Sequence, residues 1–160
     1  MKSLRAGFTL AALVAAVGLL AGCTKDFSFA ELIGYENPQV KARKDLMQSH
    51  PRNIRAIQAA MKENRLADAA KSADALSQSA RRIPDAFKER VLEGQTTALP
   101  VIWENKADFD QKARNLGTAA ASLAVVLRAG DRNGAEAALK NVQGTCGGCH
   151  RTYRKPPPKK

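Results

Sequence analysis

Aromatic residues and histidines are scarce in this chain, and strand patterns are nearly absent. Only 5% of the 160 residues are aromatic and two are histidine, whereas 44% are apolar. Alternating apolar and polar residues, the mark of a half-buried strand, hardly occur. The composition therefore argues against a sheet and predicts an all-α fold with an alanine-rich core in one domain.

Acidic residues are also few. The chain has 26 Lys and Arg against 15 Asp and Glu, a net charge of +11. The positive charge is spread along the predicted helices and the tail, and aromatic residues do not interleave with it, which argues against nucleic-acid binding. A basic surface of this kind favours docking to an acidic protein or to anionic lipid.

Long apolar runs are absent except at the N-terminus. The run over residues 8–21 follows two basic residues and is too short for a membrane-spanning helix. It ends in "LAGC" at residues 20–23, which resembles the lipobox of bacterial lipoproteins. We expect residues 1–22 to be a signal peptide and Cys23 to be acylated, with Thr24 after it favouring the outer membrane. An ordinary secretory signal is the alternative.

Cysteine is rare, and the three cysteines divide into two roles. Beside Cys23, only Cys146 and Cys149 remain, and in an exported protein they could form a disulfide. They belong, however, to Cys-x-x-Cys-His, the attachment motif of c-type haem. A thioredoxin-like dithiol would need a βαβ context, and a zinc site would need more ligands. We expect one covalent haem c, held by both thiols, with His150 as the proximal iron ligand.

Apolar residues recur at helical spacing in four segments. The first begins at Pro38, Pro84 ends the second, Gly130 ends the third, and Asp131 or Asn133 caps the fourth. Residues 84–100 are read as a long connection. The four series are Val40, Arg43, Met47, His50, Ile54, Ile57 and Met61; Leu66, Ala69, Ala73, Leu76, Ala80 and Ile83; Phe109, Ala113, Leu116, Ala120, Leu123 and Leu127; and Ala135, Ala138, Val142, Cys146 and Cys149.

These series predict an antiparallel four-helix bundle with haem near its C-terminal end. The bundle domain is expected over residues 38–154. Residues 23–37 form the connector to the anchor, and residues 155–160, "KPPPKK", form a disordered tail.

Three stretches together resemble the cytochrome c prime family, the class II c-type cytochromes. They are "VKARKDLM" (40–47), "LPVIWENKADFDQKA" (99–113) and "TCGGCHRTYR" (145–154). The resemblance implies that the first helix covers the distal face of the haem, opposite His150. Family members are often dimers through their first two helices, so a homodimer is expected.

The resemblance also concerns the sixth iron position. Many family members place an apolar residue such as leucine there, leave the iron five-coordinate and bind small gases. This chain has Met47, which we predict to be the distal iron ligand. Met47 as simple core filling and His50 as the ligand instead are the alternatives. Pro51 cannot donate a hydrogen bond to the Met47 carbonyl, so the helix is expected to kink or loosen there.

Arg43 interrupts the apolar face of the first helix and is the candidate for contact with a haem propionate. Lys41 and Arg154 are weaker candidates for that role. Trp103 and Phe109 are assigned to the core. We expect Tyr153 to pack near the haem edge and to form a hydrogen bond through its hydroxyl.

The resulting prediction is an electron carrier of the bacterial envelope, not an enzyme, whose iron is ligated by His150 and Met47. Its partners would be acidic redox proteins, and its place the periplasm, held to a membrane by lipid or, alternatively, free of it. The main alternative is a five-coordinate protein that binds nitric oxide or carbon monoxide. Peroxidase chemistry through His50 and Arg43 is weaker, because no further acid–base group accompanies them.

Overall fold

The structure, a computed structural model, describes residues 36–157, and most of these residues are helical. The elements are α1 (Pro38–Lys62), α2 (Leu66–Arg81), α3 (Ile83–Ala86), α4 (Val101–Glu104), α5 (Lys106–Arg128) and α6 (Arg132–Tyr153). None of these helices is long and apolar enough to cross a bilayer. The predicted signal peptide, Cys23, nearly all of the connector and the last three residues of the tail lie outside the described residues.

Two of the long helices, α1 and α6, begin after a residue whose side chain accepts a hydrogen bond from a free backbone N–H group. The Asn37 side chain accepts a hydrogen bond from the Gln39 N–H at 2.9 Å, and Pro38 occupies the first turn of α1. The Asp131 side chain caps α6 by accepting from the Gly134 N–H at 2.9 Å. The predicted cap at Asp131 is therefore confirmed, and Asn133 is not needed for it.

The four long helices form the predicted bundle. Helix α2 packs against α1 and α5, and α5 also packs against α6. The connections at residues 63–65 and 129–131 are tight, so the helices that they join run antiparallel. At the second connection Gly130 has φ of 74°, a left-handed conformation that glycine adopts without strain.

Small residues bring α2 and α5 close together. Their facing sides are rich in buried alanine, and the buried Ser77 hydroxyl donates to the Gly117 carbonyl at 2.8 Å. A side chain at Gly117 would contact Ala80 and Arg81 of α2. The alanine-rich core predicted from composition is confirmed in the buried residues Ala69, Ala73, Ala80, Ala113, Ala120 and Ala124.

One local prediction was wrong. The connection does not begin at Pro84: α2 already ends at Arg81, and Pro84 lies in the first turn of the short helix α3, where its missing N–H costs nothing. Helix α4 lies between that connection and the third predicted series, which begins at Phe109. Helix α1 is continuous through Pro51, and a kink or loosening there stays a prediction.

Candidate functional site

The haem-attachment motif lies in the last turns of α6. Cys149 and His150 follow Cys146 by three and four residues, which places both beside Cys146 on one side of the helix. All three side chains are half-buried, and within the described residues both thiols are free. The helix thus presents two sulfurs and an imidazole together.

These three side chains line a cavity of about 820 Å³ between α1, α5, α6 and the segment before α4. Its size lies within the range of about 300–1,000 Å³ that is usual for ligand pockets. Met47 and His50 of α1 line the same cavity, so the structure brings the predicted proximal and distal residues together. Other lining residues include Val40, Arg43, Lys44, Gln48, Ile54, Arg55, Gln95, Thr96, Thr97, Ala98, Phe109, Lys112, Leu116, Tyr153 and Arg154.

Burial controls the charge of the motif. It raises the pKa of the Cys146 thiol and raises the pKa of Cys149 to about 11. Burial, and secondarily the charge of Arg154, lowers the pKa of His150. At neutral pH the cavity therefore contains a neutral imidazole, whose lone pair can bind iron, and two thiols beside it. This donor set and cavity fit a haem c.

His50 is the second histidine in the cavity. Its side chain is 8% exposed, and its Nε2 atom is buried without a hydrogen-bond partner among residues 36–157. Burial first, and then the charges of His150 and Arg82, lower the pKa of His50 to about 4. The ring is neutral at pH 7.

Arg43 is buried, with 3% of its surface exposed. Its Nε, Nη1 and Nη2 atoms donate to the carbonyls of Ala86, Val91 and Glu89 at 2.7, 2.9 and 2.5 Å. The guanidinium carbon also lies 4.8 Å from the centre of the Phe87 ring. Contact with a haem propionate stays a prediction: these three bonds use one N–H of each nitrogen and leave one N–H on Nη1 and one on Nη2.

The segment before α4 is tied to the end of α6. The Leu99 N–H donates to the Tyr153 carbonyl at 3.1 Å, and the Lys155 N–H donates to the Thr97 carbonyl at 2.8 Å. Sequence reasoning did not find this cavity wall, because its partners are more than 50 residues apart and no local pattern marks them.

The remaining predicted residues divide between core and surface. Phe109 is buried, and Trp103 is half-buried, donating from Nε1 to the Phe87 carbonyl at 2.9 Å. Lys41 is exposed and paired with Asp45, whereas Arg154 is exposed at the cavity rim.

Tyr153 forms the hydrogen bond predicted for it. Its hydroxyl donates to Asp108 Oδ2 at 2.5 Å, and its ring meets that of Phe109 edge to face. Burial first, and then Asp108, raise the pKa of Tyr153 from 10.0 to about 12. The Tyr153 hydroxyl is therefore protonated at neutral pH and can donate this hydrogen bond.

Replacing Tyr153 with phenylalanine should lower the free energy of unfolding by about 1 kcal/mol at pH 7. Because the folded state keeps a proton that the unfolded chain loses above pH 10, the wild-type advantage should shrink as pH rises from 10 towards 12. Urea unfolding of both proteins at pH 7 and pH 11 measures this. A difference that is the same at both values would contradict it.

The sequence and the fold are similar to those of known proteins. A family model described as Cytochrome C' matches residues 38–154. Cytochrome c-556 of Agrobacterium fabrum (strain C58 / ATCC 33970) is 34% identical over 123 residues, which cover 75% of this chain and 83% of that relative. Cytochrome c' of Pararhodospirillum photometricum is 33% identical over 118 residues, covering 72% of this chain and 94% of that one.

A solved structure is also similar. It is a variant of cytochrome c prime from Alcaligenes xylosoxidans in complex with nitric oxide, with a TM-score of 0.63 and 26% identity. The match covers 74% of this chain and 94% of that one.

Proposed function

This chain belongs to the cytochrome c′ family and carries a single covalent haem c, and on that premise we propose that it binds small gases such as nitric oxide and carbon monoxide at the iron. The observation that carries the proposal is the cavity on which the attachment motif and the distal helix α1 converge. Cys146 and Cys149 would hold the porphyrin, and His150 would bind the iron from the proximal side. Bound haem supplies the iron to which the gas binds.

The comparisons favour gas binding over the electron carrier predicted from the sequence. Relatives named cytochrome c' match most of the chain, and a similar protein has been solved with nitric oxide. They do not support ligation of the iron by the Met47 sulfur. The predicted carrier with a His150/Met47 iron therefore becomes the second candidate.

The chain's own residues would do three things for a gas ligand. Val40, Ile54 and Leu116 give the cavity apolar walls that disfavour water. His150, on α6, would offer the iron an imidazole whose pKa is lowered by burial. Met47, half-buried on α1, would lie on the distal side and limit the size of the molecule that enters.

One observation keeps the second candidate in view: Met47 lines the same cavity as His150. A thioether on the iron would fill the sixth position and favour electron transfer, because little then reorganises on oxidation. The basic surface would suit an acidic redox partner.

Electron paramagnetic resonance of the ferric protein distinguishes the two functions. Met47→Leu keeps the apolar volume, at a usual cost below about 1.5 kcal/mol, and removes the sulfur. For a gas-binding protein, wild type and variant should both be high-spin. A low-spin wild type that becomes high-spin in the variant would establish the carrier and sink the main proposal.

We further propose that the protein is a lipoprotein of the bacterial envelope, anchored through Cys23, facing the periplasm and able to pair as a homodimer. The N-terminal lipobox supports the anchor. The wild-type protein should enter the detergent phase with membranes, and Cys23→Ser should remove it from that phase or leave its signal peptide uncut. A wild-type protein found wholly in the aqueous phase would contradict the anchor. Cys146→Ala serves as the control, since it should not alter partitioning.

A further inference from the structure

His50 has a buried ring nitrogen without a hydrogen-bond partner among residues 36–157, which indicates that a bound molecule could supply one. A buried polar atom without a hydrogen bond is destabilising, and native proteins rarely keep one without a use. His50 Nε2 is such an atom, and the side chain that carries it lines the cavity that fits the haem. Among the other lining residues of α1, Val40, Met47 and Ile54 are apolar, and the buried Arg43 donates to three backbone carbonyls. Among residues 36–157, His50 Nε2 is thus the one buried side-chain nitrogen or oxygen of this cavity wall that has no partner.

The position of His50 along α1 suits a donor beside the iron ligand rather than the iron ligand itself. It follows Met47 by three residues, which separates the two along the helix axis by about 4.5 Å. Met47 is the residue that the sequence resemblance predicts to lie over the iron, and it lines the same cavity. A group one turn away, on the same face, would reach the outer atom of a diatomic molecule bound there.

We propose that His50 donates a hydrogen bond from Nε2–H to a diatomic gas held at the iron and thereby sets which gases are retained. The inference rests on the proposed function. The neutral ring has one N–H to give, and the outer oxygen of bound nitric oxide or carbon monoxide carries partial negative charge that accepts it. Gases whose outer atom gains the most charge would be held longest.

The test uses holoprotein that carries Met47→Leu, so that the sixth position is open whether or not Met47 binds iron. In this background His50→Leu removes the donor, and His50→Gln keeps an N–H. Infrared spectra of the ferrous carbon monoxide complex report the donor directly, because a hydrogen bond to the outer oxygen lowers the C–O stretching frequency.

We expect His50→Leu to raise that frequency and to speed nitric oxide dissociation about tenfold, the loss of one hydrogen bond. His50→Gln should fall between the parent and His50→Leu. Equal frequencies and rates in all three proteins would overturn the proposal. So would a parent that is six-coordinate and becomes five-coordinate in His50→Leu and His50→Gln, because His50 would then be an iron ligand.

The two proposals can fail separately. If wild type does not bind carbon monoxide but the Met47→Leu parent shows the His50-dependent frequency, gas binding as the function fails and the hydrogen bond stands. Circular dichroism of each variant establishes that it is folded before its spectrum is compared.

Discussion

The variant with alanine at both Cys146 and Cys149 should contain no covalent haem. Haem stain should disappear completely from its band after denaturing electrophoresis, because the two thioethers are the only bonds between haem and protein that survive denaturation. Each single variant should keep one bond and a weaker band. Cys23→Ser is the matched control, since it removes the remaining cysteine of the chain and should stain like wild type.

The double variant should also be much less stable than the holoprotein. The thioethers keep haem attached to the unfolded chain as well, but only in the folded state does haem fill the cavity, so its loss removes packing that stabilises the fold. The cavity of about 820 Å³ would be left to water between α1, α5 and α6. Thermal unfolding followed by circular dichroism measures the change. A double variant that still carries covalent haem, or that unfolds at the same temperature as the holoprotein, would contradict the assignment of these cysteines.

Arg43→Met should lower the free energy of unfolding by about 3 kcal/mol. The substitution leaves the carbonyls of Ala86, Glu89 and Val91 without the guanidinium that now satisfies them, at about 1–3 kcal/mol for each group that stays buried and unpaired. Water can reach part of this segment, so the total should fall well below three full penalties. Amide hydrogen exchange should accelerate most in the segment before α4.

Two controls separate the possible roles of Arg43. Arg52→Met, at an exposed position on the same helix, should change stability by less than about 0.5 kcal/mol. Arg43→Lys keeps the charge but not the planar group that donates to all three carbonyls, so its free energy of unfolding should recover less than half of what Arg43→Met loses. If Arg43→Met instead shifts the reduction potential of the haem and leaves stability unchanged, Arg43 contacts a propionate and does not hold the loop.

The helices were predictable because their signals are local. The apolar series of the four segments give a buried face at helical spacing, and Val40, Ile57, Leu123 and Val142 are indeed fully buried. The same holds for the Asp131 cap, whose acceptor and donor are three residues apart. The prediction that Pro84 ends a helix was wrong because proline occurs both just after helices and in their first turn, and the sequence alone does not distinguish the two.

The site was only partly predictable. The cysteines and His150 form a contiguous motif, and its residues lie together as expected. The bonds of Arg43 join residues more than 40 positions apart, and only the folded chain brings those carbonyls to α1. The unpartnered state of His50 Nε2 likewise depends on everything packed around it. Ligation of iron by Met47 stays a prediction, since lining a cavity does not place its sulfur on a metal.

Titration of the reduced wild-type holoprotein with carbon monoxide tests the central claim most directly. The proposed function predicts a change in the visible absorption spectrum that saturates at one carbon monoxide per haem, because the sixth iron position is open to a gas. A wild-type spectrum that saturating carbon monoxide leaves unchanged, while the Met47→Leu variant responds, would contradict gas binding and establish the protein as a carrier with a closed iron.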